Sequence, residues 1–254
     1  MSERVEVIPV EGVPEVEPGD RLGELLARAV AEGGEALAPA DVIVVSQKIV
    51  SKAEDRLMRL ADIEPGERAQ ELAARLGKDA RLVELILTET EEIVRADRDV
   101  LIVESVSGWI SANAGIDASN VPGTERVSLL PADPDASARR LRAELRGAAE
   151  AAPAVVIADS FGRPWRLGQV DVAIGCAGLA PTDDWRGRHD RHGAELAATA
   201  IAIADEVAAA ADLARSKDEG IPAALVRGIG RFVTPEDGPG AGALRRPRDE
   251  DLFR

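Results

Sequence analysis

The chain has 254 residues, of which 45% are hydrophobic, and this composition is typical of a globular protein with a sizeable core. Its formal net charge of −15 argues against nucleic acid as a partner, because binding to a phosphate backbone depends on a basic surface. No apolar run approaches the ~20 residues that span a bilayer and the N-terminus has no signal-peptide core, so we expect a cytoplasmic protein without a membrane partner.

Hydrophobic periodicity and turn residues predict both strands and helices along the chain. In the first half they predict a strand at 5–10, a helix at 20–31, a buried strand at 41–45, helical structure over 65–95 with a break at Gly77, a strand at 99–105 and a loop at 108–121. In the second half they predict an Arg-rich amphipathic helix at 136–150, a strand at 154–158, the longest helix at 195–216 and a strand at 223–226.

This order mixes strands and helices without a regular strand–helix–strand rhythm, which favours an α+β fold of mixed sheets with flanking helices over a doubly wound one. The glycines match neither a P-loop nor a dinucleotide fingerprint, so a nucleotide would need another kind of binding loop. The one cysteine, Cys176, lies among small apolar residues. We expect it to be a buried structural thiol, since nothing nearby in sequence would lower its pKa.

The most informative stretch follows the predicted strand at 154–158. It contains Asp159 and Ser160, then a glycine that predicts a turn, and the arginines Arg163, Arg166 and Arg188. Polar side chains placed on a loop by a rigid element indicate a functional site more often than a packing role. Arginine binds phosphate and carboxylate groups through two parallel hydrogen bonds, so we interpret these three as candidates for anionic substrate groups.

Three segments of the chain each place functional side chains after a predicted strand or within a loop. Together they supply two carboxylates and a hydroxyl, which is an oxygen ligand set suited to Mg²⁺ or Mn²⁺ and to phosphoryl transfer. The candidates are Ser46, Gln47 and Lys52 in the first segment, Asp117 and Asn120 in the second, and Asp159 and Ser160 in the third.

Each candidate also has a plainer interpretation. Asp117 could cap a turn, Asp159 could close an Asx turn, and Lys52 could belong to a solvated face. The chain has two histidines, His189 and His192, and without a third we interpret them as loop residues that contact substrate or backbone. The acids of the predicted long helix are interpreted as surface charges; they are Asp205, Glu206 and Asp212.

Several longer motifs, in the same order along the chain, are similar to the coenzyme F420-0:L-glutamate ligase family. They are VIPVEGVP at 7–14, VVSQKIVSKAE at 44–54, ANAGIDASNV at 112–121, LPADPD at 130–135 and the block at 159–193. The resemblance implies a ligase that joins L-glutamate to the lactyl-phospho-deazaflavin F420-0 and extends a γ-linked tail on F420-1 and longer forms. It implies GTP as co-substrate, Mg²⁺ or Mn²⁺ as cofactor and K⁺ as a possible stimulant, with an acyl phosphate as intermediate.

The resemblance also implies an intertwined homodimer and a single ligase module over 1–254, which could consist of two closely packed subdomains. The nitroreductase-like domain fused to this module in some actinobacterial relatives is expected to be absent. The motifs place the metals on Asp117, Asp159 and Ser160. They place GTP on a larger set: Val13, Pro14, Glu15, Val16, Ser46, Gln47, Lys52 and Asn120.

One departure from the family concerns the segment after the predicted long helix. Many archaeal members carry Met-Gly-Glu or Met-Gly-Gln there and use it for GTP and metal, whereas this chain has Arg215, Ser216 and Lys217. A charged lysine cannot ligate a metal, so Ser216 and Lys217 are expected to contact the nucleotide, and the number of metals stays open. Two other functions also stay open: a γ-glutamyl ligase for another phosphorylated acceptor, and a GTP-binding protein without turnover.

Overall fold

The computed structural model describes residues 4–119, 123, 125–215 and 219–253. The described residues form, in order, β1 (Glu6–Val10), α1 (Leu22–Glu32), β2 (Val42–Ser46), α2 (Gln47–Ala53), β3 (Leu57–Arg59), α3 (Glu67–Leu76), α4 (Ala80–Thr88), β4 (Thr90–Asp97), β5 (Val100–Ser105), β6 (Ile110–Ala112), β7 (Arg126–Ser128), α5 (Pro134–Ala149), β8 (Ala154–Arg163), β9 (Arg166–Ala177), β10 (Asp183–Asp184), β11 (Ala200–Ile201), α6 (Ile203–Asp212) and β12 (Ala223–Arg227). None of the helices in these ranges has the length and apolar character needed to cross a bilayer.

A five-stranded sheet with the order β1-β12-β2-β8-β9 forms the centre of the fold. Strands β2 and β8 run parallel, while the other neighbouring pairs are antiparallel. The sheet is therefore mixed, and together with its helices it confirms the α+β prediction.

Helices cover both faces of this sheet, and β2 shows how. Ile43 and Val45 pack on the side of α1 and α5, whereas Val42 and Val44 pack on the side of α6. Because successive side chains of a strand point to opposite faces, a strand buried on both faces needs apolar residues throughout. This requirement explains the unbroken Val-Ile-Val-Val run.

A second core lies beside the large sheet. Strands β4, β5 and β6 form an antiparallel sheet, and β3 and β7 form a two-stranded ribbon. The inward residues Leu101 and Val103 of β5 pack with Leu85 and Ile86 of α4, and Val127 of β7 joins them. The helix that precedes α4, α3, ends at Gly77, which has the left-handed φ of 65° that glycine adopts at little cost.

Two sequence predictions about helices were wrong. Residues 90–95, predicted as helical, belong to β4, because beyond Glu89 the backbone pairs with β5 instead of continuing α4. The predicted longest helix at 195–216 is α6 alone, and α5 with 16 residues is longer. Residues before α6 form hydrogen bonds to the loop around Arg188, so they are not available for a helix.

Two loop predictions also need correction. The predicted glycine turn at Gly162 is part of β8, and the chain reverses at Pro164 and Trp165 to enter β9, a strand that sequence analysis did not identify. The predicted loop at 108–121 contains β6 and a 3₁₀ turn, Asn113–Gly115. By contrast, Cys176 lies fully buried in β9, as predicted, and burial raises the pKa of its thiol to about 12.

Candidate active site

A cavity with a volume of about 1320 Å³ lies at the carboxyl ends of the parallel strands β2 and β8, and we refer to it as the main cavity. Ligands of sheets that contain parallel strands bind at these ends, because the loops that follow the strands leave a crevice there. Ser46 at the end of β2, and Asp159 and Ser160 in β8, all line the cavity.

Strand register places Asp159 at this crevice. Ser46, the last residue of β2, pairs with Ala158 of β8, so Asp159 is the first residue of β8 beyond the end of β2. Ser46 also begins α2, and its hydroxyl accepts a hydrogen bond from the backbone N–H of Lys48 at 3.4 Å. The end of β2 therefore lies beside both the start of α2 and the carboxyl group of Asp159 in the neighbouring strand β8.

Asp117 reaches the same cavity from the segment after β6. Its carboxylate lies 2.8 Å from the ammonium nitrogen of Lys48 and accepts hydrogen bonds from the backbone N–H and the hydroxyl of Ser119 at 2.7 and 2.9 Å. Burial favours the neutral acid, but the bonds from Lys48 and Ser119 outweigh it and lower the pKa of Asp117. The predicted turn-forming role and the predicted cavity role thus both describe this residue.

Asp159 is in the opposite electrostatic situation. Burial raises the pKa of its carboxyl to about 7, and the nearby charges of Asp171 and Asp117 act in the same direction, while the backbone N–H of Ser160 offsets part of the effect. Within the described ranges, no cationic side chain forms an ion pair with Asp159. The charge of Lys48 lowers the pKa but does not offset the effect of burial, so the cavity holds a carboxyl group whose charge the protein compensates only in part.

A buried pair orients the hydroxyl of Ser160. Ser160 lies opposite Asp171 in the β8–β9 register and donates a hydrogen bond to Oδ1 of Asp171 at 2.6 Å. The other oxygen of Asp171 is bonded to the guanidinium of Arg215, and the two residues are 5% and 9% exposed. Because the hydrogen of Ser160 is used in this bond, its oxygen lone pairs remain free to accept or to ligate.

Sequence reasoning missed Asp171 and named Arg215 only as part of the departure from the family. Both line the cavity. One signal was present: Asp171 is the single acid in a run of otherwise small and apolar residues, 170–178. A lone acid in such a run is a candidate for a buried and paired carboxylate.

Lys52 and the segment after β1 form another part of the wall. The ammonium nitrogen of Lys52 lies 2.6 Å from Oε1 of Glu15, and the lysine side chain is only 10% exposed. The interpretation of Lys52 as part of a solvated face is therefore wrong. The remaining predicted nucleotide contacts of this segment also line the cavity: Val13, Pro14 and Val16.

Some predicted site residues lie away from the cavity wall or outside the described residues. Gln47 is buried beside the wall, where its Oε1 accepts a hydrogen bond from the hydroxyl of Ser51 at 2.9 Å and its Nε2 has no partner among the described residues. The predicted contacts that fall outside the described residues are Asn120, Ser216 and Lys217.

The three candidate arginines are not brought together. Arg163 lines the cavity and donates to the carbonyl of Leu167 at 3.0 Å. Arg166 is exposed and does not belong to the described wall. Arg188 lines a second, smaller cavity, where its guanidinium lies 5.1 Å from the ring centre of Trp185 and 3.2 Å from Oδ1 of Asp183.

Of the three acids of α6 that were predicted as surface charges, one is exposed and two are not. Glu206 is exposed, as predicted. Asp205 accepts a hydrogen bond from the backbone N–H of Ala173 at 2.9 Å, and burial raises the pKa of its carboxyl; Asp212 lines the main cavity. For these two acids the prediction is wrong, because both lie on the side of α6 that faces the sheet or the cavity.

Two carboxylates and a hydroxyl, from Asp117, Asp159 and Ser160, are available as oxygen ligands in this cavity. Mg²⁺ commonly takes one or two protein carboxylates and completes its shell with water and substrate phosphates. In the described parts of the chain, no three His, Cys, Asp or Glu side chains form a metal cluster on their own. The donor set thus fits a cation that shares its shell with a phosphorylated ligand, and Asp159, which has no ion-pair partner among the described side chains, favours one.

A cavity with carboxylates and lysines at the carboxyl ends of parallel strands belongs to the class of small-ligand sites in which charged groups orient the ligand. The chain belongs to the F420-0:Gamma-glutamyl ligase family, whose sequence model matches residues 12–228. It is 45% identical to the Coenzyme F420:L-glutamate ligase of Methanothermobacter thermautotrophicus, over 98% of this chain and 99% of that protein. Proteins of the same name from Methanopyrus kandleri (44% identity, 99% and 97% covered) and Haloarcula marismortui (43%, 98% and 96%) are also similar to it.

Proposed function

We propose that this chain joins L-glutamate to coenzyme F420-0 through an amide bond, using GTP, and then adds further γ-linked glutamates in coenzyme F420 biosynthesis. One observation carries the proposal: Asp117 and Asp159 converge on one cavity in a chain whose relatives are named Coenzyme F420:L-glutamate ligase. Those relatives match almost the full chain, so the substrates in their name are the first to be tested here.

The proposed reaction has two chemical steps. First, an oxygen of the acceptor carboxylate takes the γ-phosphoryl group of GTP, which gives an acyl phosphate and GDP. Next, the neutral amine of glutamate attacks the carbonyl carbon; the C–N bond forms, the C–O bond to phosphate breaks, inorganic phosphate leaves and the nitrogen loses a proton. Activation is needed because a carboxylate is a poor electrophile. Phosphate is also a much better leaving group than the oxide ion that an unactivated carboxylate would have to release.

The residues that would hold the divalent cation are Asp117, Asp159 and Ser160. Mg²⁺ or Mn²⁺ bound there would neutralise charge on the transferred phosphoryl group, with K⁺ as a possible further ion. The buried pair of Asp171 and Arg215 keeps the Ser160 oxygen free for this purpose. Lys48 fixes the position of the Asp117 carboxylate through its 2.8 Å contact.

The nucleotide is proposed to occupy the part of the wall formed by the segment after β1 and by α2. Lys52 supplies positive charge there, and its bond to Glu15 holds it in place until a phosphate competes for it. Gln47 would stabilise the start of α2 from behind the wall rather than touch the ligand, because it is buried and bonded to Ser51. Asn120, Ser216 and Lys217 remain proposed contacts.

We also propose a homodimer. An apolar surface that could serve it consists of Trp165 and Leu167 at the β8–β9 turn and Leu252 and Phe253 near the C-terminus, and all four are at least 74% exposed. The rings of Trp165 and Phe253 lie 5.1 Å apart.

Light scattering tests the dimer and should give twice the chain mass. A Trp165→Ser, Leu167→Ser double variant should shift the measured mass toward that of the monomer. A monomeric wild type would contradict the dimer.

The decisive experiment is a ligation assay read by product mass. The full chain is incubated with F420-0, L-glutamate, Mn²⁺ and either GTP or ATP, with a reaction lacking nucleotide as control. Mass increments of one or more glutamyl units that require GTP would support the proposal. GTP hydrolysis that depends on a different phosphorylated acceptor would favour the other γ-glutamyl ligase, and GTP binding without any turnover would favour a binding protein.

A further inference from the structure

One wall of the main cavity is apolar although it faces open space. Val100 and Ile110 are 41% and 39% exposed, and both line the cavity together with Ile102. These side chains lie on one face of the β4–β5–β6 sheet, because Ile110 pairs with Glu104, which lies two positions from Ile102 along β5. We refer to Val100, Ile102 and Ile110 as the apolar wall.

The first four residues of β5 are apolar on both faces of the strand, and Glu104 is the first polar residue on the face of Val100 and Ile102. Leu101 and Val103, which alternate with the wall residues, are fully buried in the second core. A sheet with one face in water normally carries polar residues on that face. Apolar surface in contact with water is unfavourable, so a ligand that covers this wall is stabilised by the water it displaces.

The β8–β9 hairpin supplies further ligand-binding groups to the same cavity. Strand β6 lies against β8, and Phe161, Arg163 and Pro164 of the hairpin line the cavity with the apolar wall. The Arg163 guanidinium bonds to the carbonyl of Leu167, and no carboxylate among the described side chains forms an ion pair with it. An aromatic ring, a proline and a cation without an ion-pair partner among the described side chains thus line the same cavity as the apolar wall.

We propose that the apolar wall binds the planar aromatic ring of the acceptor, while Arg163 pairs with the acceptor's phosphate. This inference rests on the proposed function and assigns the part of the cavity that selects the acceptor. A ligand that fits must have a flat apolar part, an anionic group next to it, and a carboxylate that can reach Asp117 and Asp159. A deazaflavin linked to lactate through a phosphodiester has these three parts.

The nucleotide base is the competing occupant, and the elements of the fold argue against it. The proposed nucleotide contacts Val13 and Val16 pack with the core of the five-stranded sheet, whereas the apolar wall belongs to the separate β4–β5–β6 sheet. The two sets of contacts therefore come from different parts of the molecule. Both sets line one cavity of about 1320 Å³.

The test is equilibrium binding of F420-0, followed by its own fluorescence, without nucleotide or metal. An Ile102→Thr, Ile110→Thr double variant keeps β-branched side chains but makes the wall polar, and we expect its Kd for F420-0 to rise about tenfold. The matched control is Val94→Thr, since Val94 is 37% exposed on the same sheet but does not line the cavity. That variant should bind as the wild type does.

Two further ligands distinguish contacts to the ring from contacts to the phosphate. A lactyl phosphate fragment without the ring should bind the wild type and the double variant equally, since it does not touch the wall. Arg163→Gln should weaken both F420-0 and this fragment, but it should not weaken a deazaflavin that lacks the phosphate; Arg59→Gln, at an exposed arginine of β3 outside the cavity wall, is the control.

The outcomes separate this inference from the proposed function. If the wild type ligates glutamate to F420-0 but the double variant binds F420-0 with unchanged Kd, the inference is wrong and the function stands. If the double variant instead loses affinity for a GTP analogue, the wall holds the base, which also overturns the inference. If the folded wild type does not bind F420-0 at all, the proposed function itself fails. Thermal unfolding of each variant checks that the second core is intact.

Discussion

The two ends of the five-stranded sheet both contain charged side chains that are wholly or partly buried. The ends differ in how completely these groups are hydrogen-bonded to the protein. At the end where β8 begins, the guanidinium of Arg142 donates to the backbone carbonyls of Pro153 and Thr234 at 3.2 and 2.8 Å and lies 2.9 Å from Oδ1 of Asp237. Next to it, Asp135 accepts hydrogen bonds from three backbone N–H groups, including that of Cys176 at 2.9 Å. Each charge at this end is fully bonded to the chain.

At the cavity end the charges are bonded only in part. Asp117 has Lys48, and Asp171 has Arg215, but Asp159 has a backbone N–H and no ion-pair partner among the described side chains. A buried charge with all its partners stabilises one arrangement of the backbone, whereas a carboxylate without a cation is stabilised when a ligand supplies one. The degree to which a buried charge is bonded to the protein therefore separates a structural role from a ligand-binding one.

The largest effect is expected when the carboxyl group of Asp159 is replaced by an amide. We expect Asp159→Asn to lower the rate of glutamate ligation about 10³-fold, a size seen when one group that stabilises transition-state charge is lost. The fold should be unaffected, because no ion pair is broken. Mass-resolved ligation assays and thermal unfolding measure the two effects, with the exposed acid Asp62→Asn as control. Ligation at the wild-type rate would end the proposed metal role of Asp159.

Arg142→Met tests the opposite end. It leaves several carbonyls and the Asp237 carboxylate without their donor, so we expect a loss of about 3 kcal/mol in the free energy of unfolding. Arg146→Met is the matched control, because Arg146 lies on the exposed side of the same helix and should change stability by no more than about 0.5 kcal/mol. Denaturant unfolding measures both, and equal losses would remove the structural distinction.

Lys52→Met tests the proposed contact between Lys52 and the nucleotide. Without its ammonium group the nucleotide loses one charge-assisted bond, and we expect the Kd of a GTP analogue to rise about tenfold. The fold should tolerate the change, since Glu15 is 66% exposed and can be solvated. Lys78→Met, at a lysine just beyond α3 and outside the cavity wall, is the control. Unchanged affinity in calorimetry would assign the nucleotide to another part of the cavity.

The smallest effect is expected at Cys176. Its backbone N–H is held by Asp135 at the fully bonded end, and burial raises the pKa of its thiol to about 12. Cys176→Ala should therefore leave the ligation rate within about twofold of the wild type, as expected for a residue away from the reacting groups. The native thiol should resist alkylation at pH 8 and react after unfolding. A large loss of ligation with an intact fold would point to a nucleophile instead.

The sequence predicted the parts of the fold whose patterns are local. Strand β2 was identified because its apolar run permits nothing but burial on both faces, and α5 because its apolar residues repeat at helical spacing. Strand β4 was missed because Glu91 and Arg95 suit an exposed helix, and only pairing with β5 makes this segment a strand. The alanine-rich stretch before α6 was overestimated, since helix propensity is weak against tertiary hydrogen bonds.

In the candidate site, too, the features set by local sequence were predicted and those set by tertiary contacts were not. Asp117 and Asp159 were identified from residue type, from their positions near strand ends and from the family motifs, and the structure brings both to one cavity. The roles of Lys48, Asp171 and Arg215 depend on contacts between residues far apart in sequence, such as the pairing of Ser160 with Asp171 across β8 and β9. Such contacts are set by register, which no short stretch of sequence reveals.

The parallel pairing of β2 with β8 has a consequence for the order of folding. Parallel strands need a crossover, and here the crossover contains everything from α2 to α5, including the whole second core. Contacts between such distant parts of a chain form slowly, because a long loop must close first. We expect a nascent chain to acquire its helices and the β4–β5–β6 sheet early. Its ability to capture a nucleotide should appear late, once Asp159 has docked beside Ser46.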